Sequence, residues 1–105
     1  MNRQDRKAAT GAYRDAKPKA GIYAVHAGDG IWIGAAPRLD TIENRLGFTI
    51  QQQAHMNRAF QQAASTGYRF EVLETLDPET DDLARPRLLK ERLAHWLAQT
   101  GGRVL

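Results

Sequence analysis

Residues Ala20 to Gly34 read AGIYAVHAGDGIWIG. Two short apolar runs, at 20–26 and 30–34, flank Ala27-Gly28-Asp29-Gly30, which supplies the positive-φ positions that a tight turn between antiparallel strands requires. Pro37 stops the second run, because it has no N–H to give a ladder. The stretch is a β-hairpin, and the rest of the chain must supply whatever covers it.

Downstream, Asp40 and Glu43 have the D-x-x-E spacing of a capping box, ahead of an apolar stripe at Ile42, Leu46 and Ile50. The spacing predicts a helix there. Asn57 is suited to cap a second, shorter helix through Arg58, Phe60 and Ala63 to Gly67. From Tyr68 to Leu76 the residues alternate, with Tyr68, Phe70 and Val72 on one face and Arg69 and Glu71 on the other, as in a strand with one covered face. Asp77-Pro78 ends it. The acidic run Glu79, Asp81, Asp82 leads to a last helix with Pro86 in its first turn, an apolar stripe at Leu88, Leu89, Leu93, Trp96 and Leu97, and Gly101 as its stop.

The predicted order is β-β-α-α-β-α. It describes an α+β domain, a small three-stranded antiparallel sheet flanked by helices, over residues 20–105. Residues 1–19 are expected to form a basic helical extension, with Arg3, Arg6, Lys7, Arg14, Lys17 and Lys19 against Asp5 and Asp15. A chain of 105 residues, 42% hydrophobic, supports one modest core. With no cysteine, disulfide scaffolds, thiolate zinc sites and cysteine nucleophiles are excluded. The net charge of +3, concentrated early, suits a polyanionic partner. Without a signal-type apolar run or a span long enough for a bilayer, a cytoplasmic location is the expectation, with no membrane partner.

Gly21-Ile22-Tyr23 on the first strand and Trp32-Ile33-Gly34 on the second resemble the paired signature of the GIY-YIG nuclease domain, with Trp for the first Tyr of YIG. That resemblance implies the same element order. It further implies two tyrosines facing the active site, an Arg on the first helix, a His or Tyr near its end, and a Glu on a later helix. The Glu holds one divalent metal, and the site hydrolyses phosphodiester bonds in nucleic acid.

Carried onto this chain, the resemblance assigns catalytic roles to Tyr23, Arg45, His55 and Glu91, with Glu91 as the ligand of one Mg²⁺ or Mn²⁺ ion. Trp32, Gly34 and Arg38 fall on the substrate side. Tyr23 matches directly, but a phenol with an ordinary pKa near 10 needs a nearby cation to act as a base at neutrality. Trp32 can pack and donate one N–H, yet it cannot move protons. The eight residues between Tyr23 and Trp32 are an even-numbered shortening relative to many family members, which preserves facing. Arg45 falls beside the Ile42–Leu46–Ile50 stripe, where a guanidinium can clamp a phosphate. His55 titrates near neutrality and can polarise water or phosphate. One carboxylate suffices for Mg²⁺, which keeps several waters. A second alignment, on Trp96, puts Leu93 where the family has its glutamate, and the family's Asn after the last helix has no counterpart.

Three functions follow as expectations. The first is a metal-dependent endonuclease acting on nucleic acid, DNA ahead of RNA. The second is a catalytically degenerate domain of the same fold that binds nucleic acid without cutting it, to be distinguished by whether Glu91 converges with Tyr23, Arg45 and His55. The third is a protein-interaction module, for which the acidic stretch Glu79–Asp82 could meet a basic partner.

Overall fold

The computed structural model describes residues 19–105; the basic extension expected at 1–19 lies, apart from Lys19, outside them. The hairpin forms β1 (Gly21–Ala27) and β2 (Gly30–Ala36), joined through Gly28 at φ +59°. Glycine at the first turn position is the pattern of a two-residue type II′ connection. Helices α1 (Leu39–Gln51) and α2 (Arg58–Ala64) follow, then β3 (Tyr68–Thr75), α3 (Arg85–Thr100) and β4 (Arg103–Val104). The sheet order is β3-β1-β2-β4, antiparallel except for the parallel β2/β4 pair. The expected α+β order holds, and β4 adds a fourth strand beside Trp32 and Ile33. Two residues after a glycine pair are too short to carry a period-two pattern, so this strand left no sequence signal.

Alternation sorts the sheet into two faces. Tyr23, Val25 and Trp32 point to one face and pack with Leu46 and Ile50 of α1 and Phe60 of α2. Ile22, Ala24 and Ile33 point to the other, where Leu89, Leu93, Trp96 and Leu97 of α3 cover them. Phe60, Ile22, Ile33 and Val25 are fully buried, each stabilising by roughly 1.5–3 kcal/mol. The register of β3 against β1 shifts between Ile22 and Tyr23, which oppose Glu74 and Val72. The extra residue, Leu73, packs against the α3-side cluster. Glu74 beside it accepts from Trp96 Nε1 at 2.8 Å and from Arg92 Nε at 2.8 and 3.0 Å. A bulge thus turns two neighbouring side chains toward α3.

The start of α1 differs from the capping-box expectation. Arg38, not Asp40, occupies the N-cap position, with no side-chain cap bond. Leu39 is 8% exposed, and its N–H donates to the Lys19 carbonyl at 2.7 Å. Burial of Leu39 draws the helix start forward, and Asp40 moves into the first turn, where the helix dipole favours a carboxylate. At α2, Asn57 is the cap the sequence predicts, its Oδ1 accepting from the Phe60 N–H at 3.1 Å. Gly101 ends α3 at φ +69°. No described helix is long and apolar enough to cross a membrane.

Candidate functional site

Tyr23 sits on the central strand directly opposite Gly34. Its ring stacks on Phe70 at 5.4 Å and crosses over Gly34: a Cβ there would lie 2.5 Å from the tyrosine Cζ and overlap the hydroxyl. The other signature glycine, Gly21, brings β1 against β3 so closely that a Cβ would meet the Glu74 carbonyl oxygen. Both glycines are therefore steric requirements of the hairpin, independent of any ligand.

Tyr23 borders an open depression of about 430 Å³, lined also by Arg45, Thr49, His55, Met56 and Leu105. Ile42, Arg45, Leu46 and Thr49 of α1 all reach it, at the i, i+3, i+4, i+7 spacing of one helical stripe. Arg45 is exposed and has no carboxylate partner among the described residues, since Asp40 pairs with Arg38 instead. Its guanidinium is free to meet an anion.

His55 is fixed by two bonds. Its backbone N–H donates to Gln61 Oε1 at 3.0 Å, and its Nδ1 accepts from the Asn57 backbone N–H at 3.0 Å. A backbone N–H can only donate, so Nδ1 carries no proton and the neutral ring holds its hydrogen on Nε2. Burial against Phe60, 4.7 Å away, pushes the pKa of His55 below its ordinary value. The group offered to a ligand is thus a neutral N–H donor rather than a base. Burial also pushes the Tyr23 phenol up to about 12. At neutrality it too is a donor, and making it a base needs a cation brought near it. Three donors, Tyr23, Arg45 and His55, converge on one hollow, which suits a phosphate oxygen.

Glu91 is not brought to this hollow. It lies on α3, which covers the opposite face of the sheet, and its side chain is 61% exposed beside Arg87 at 4.0 Å. Leu93, the alternative, packs against Ile22, Ala24 and Ile33. Arg38 stands exposed at the head of α1, paired with Asp40 at 3.5 Å. Trp32 is 4% exposed, edge-on to Phe60, and lines a neighbouring depression with Arg103, whose guanidinium lies 5.7 Å from its ring. The lining side chains of the Tyr23 hollow include no carboxylate, and no group of three or more His, Cys, Asp or Glu among the described residues could hold a metal. Mg²⁺ prefers hard oxygen ligands, so this donor set does not fit it. Thr49 follows from the α1 stripe, four residues after Arg45, whereas Met56 and Leu105 joined the hollow without a sequence signal, because the loop at 52–57 and the chain after β4 bring them there.

A GIY strand at the centre of the sheet, a WIG strand beside it, and α1 carrying its arginine over their shared face make the fold of a GIY-YIG nuclease domain. In particular, the chain is similar to the catalytic domain of the homing endonuclease I-TevI, with a TM-score of 0.61 and 18% identity over 83% of this chain and 98% of that one. At that identity the likeness establishes the fold. No protein-family model and no curated protein matches the sequence.

Proposed function

We propose that this chain is a nucleic-acid-binding domain on a nuclease fold, which holds a DNA phosphodiester in the Tyr23–Arg45–His55 hollow. The convergence of three donors on a hollow lined by no Asp or Glu side chain is the observation that carries this reading. Arg45 supplies charge, and the neutral His55 Nε2–H and the Tyr23 hydroxyl supply oriented donors. Trp32 in place of a tyrosine and Glu91 on the far face favour grip without cleavage.

A second reading retains catalysis. The likeness covers 98% of a homing endonuclease's catalytic domain, which favours phosphodiester cleavage, with Mg²⁺ or Mn²⁺ as the cofactor the family resemblance implies. One set of experiments separates the two. Anisotropy with a labelled oligonucleotide at two salt concentrations is expected to give steeply salt-dependent binding, about tenfold weaker in Arg45→Ala. Incubation with Mg²⁺ or Mn²⁺ is expected to give no product. A metal-dependent product lost in Glu91→Ala would establish the second reading, and no binding at low salt would sink both.

A further inference from the structure

Three shallow depressions run end to end around α2 and share residues where they meet. The first is the Tyr23–Arg45–His55 hollow. His55 also lines the second, with Gln53, Arg58, Gln62 and Ser65. Residues 58, 62 and 65 form one stripe of α2 and its cap. Gln62 in turn lines the third, where Ala59 and Ala63 of the next stripe meet Trp32 and Arg103. The path leaves the hollow, crosses the outer side of a seven-residue helix and ends at the hairpin tip.

The charge follows the path. Arg38, Arg69, Arg85, Arg87 and Arg92 each have a carboxylate within 4.0 Å. The other arginines among the described residues are Arg45, Arg58 and Arg103. None of these has such a partner, and each lines one of the three depressions. Between Glu43 and Glu71 the chain has no Asp or Glu at all, and Asp29 is the one side-chain carboxylate lining the path. The exposed Arg103 places its guanidinium over the Trp32 ring, 5.7 Å from the centroid, a contact that favours a cation there. Met56 is 95% exposed at the mouth of the first depression, an apolar surface on which a base could rest. Gln53 is the one non-glycine described residue at positive φ, +56°. It sits at the Schellman position after α1, where glycine would be unstrained, and its side chain lines the second depression.

We propose that this path binds a single strand of nucleic acid, with one phosphate at Arg45, flanking phosphates at Arg58 and Arg103, and the amides of Gln53 and Gln62 facing the bases. The proposal rests on the phosphodiester-binding reading of the Tyr23 hollow. A duplex is stiff over many turns and cannot follow a groove around one short helix, whereas a flexible strand can. An acidic peptide would use the arginines but has no bases for the amides and Met56.

Labelled oligothymidylates of about 2 to 16 nucleotides test this on the intact chain. Affinity is expected to climb with length until the path is filled, then level off. Arg58→Ala and Arg103→Ala are each expected to lower it about five- to tenfold and to flatten the salt slope by about 0.7. Gln53→Gly is expected to raise the urea midpoint while weakening binding. If Arg45→Ala is weakened but Arg58→Ala and Arg103→Ala bind like wild type, the path is wrong and the hollow stands. If Arg45→Ala is also unaffected, the reading of the hollow falls. Duplex binding as tight as single strand, or displacement by poly-glutamate at matched charge, would overturn the assignment to a single strand.

Discussion

Tyr23 ties the packing of the signature to its chemistry. Its ring needs Gly34 beneath it and Phe70 against it, and that enclosure raises the phenol to about 12. The folded-state value lies above the ordinary one of 10, so the contribution to stability is fully present below pH 10. It is lost as pH rises from there toward 12. Two pH units correspond to about 3 kcal/mol. Urea melts between pH 8 and about 12 should therefore show wild type losing stability relative to Tyr23→Phe as pH rises. Parallel curves would mean that the ring is more hydrated than its 5% exposure implies. Gly34→Ala, by contrast, forces the ring aside and should cost about 1–3 kcal/mol at any pH, measured in the same melts. His55 has the opposite sign. Its lowered pKa means that stability is complete above pH 6.5 and declines as the pH falls below it.

Among the elements, β3 and α3 are joined by a contact that alternation alone does not disclose. The sequence pattern places Tyr68, Phe70 and Val72 on one face, and Phe70 does pack into the core beneath α1 and α2. The bulge at Leu73 then breaks the period, so Glu74 reaches Arg92 and Trp96. Bulges arise from pairing geometry between distant strands, and one sequence read along its length does not contain that geometry. The same limit explains the start of α1, where burial of Leu39 outweighed a well-formed capping box. The hairpin, the Asn57 cap and the stripes of α1 and α3 were legible because each is decided within a few residues. Removing the charge at Glu74 tests the β3–α3 contact. Glu74→Gln leaves Arg92 without its carboxylate and should cost about 1–2 kcal/mol at neutral pH. Partly desolvated but bonded to Trp96 and Arg92, the Glu74 carboxyl sits below its ordinary 4.5. Its contribution is present above pH 4.5 and fades as pH falls through the folded value, so the gap between wild type and variant should close in acid. A gap that persists there would assign the loss to packing.

At the scale of the molecule, the carboxylates are unevenly distributed along the chain, and this bears most directly on function. Glu71, Glu74 and Glu91 lie on β3 and α3, with Asp77, Glu79, Asp81 and Asp82 on the loop between them, while the chain from Asn44 to Phe70 has arginine and histidine without a carboxylate. That asymmetry was present in the sequence as an acid-free run. It acquired meaning once the fold wrapped the run around the Tyr23 hollow. The family resemblance grouped Tyr23, Arg45, His55 and Glu91; the first three line one hollow, but the side of the sheet that α3 covers was not legible, which is why Glu91 stands apart. If binding responds to the local field rather than to net charge, two substitutions of equal charge should act unequally. Gln62→Glu and Lys90→Gln each lower the net charge by one, the first on the path and the second on exposed α3. At 0.1 M salt the screening length is about 10 Å, so a change on the far face is largely hidden from a bound strand. Anisotropy with the same oligothymidylate should find Gln62→Glu about tenfold weaker and Lys90→Gln within about twofold of wild type. Equal losses from the two would show that the chain attracts nucleic acid through its overall charge, and the path around α2 would then have no special claim to the strand.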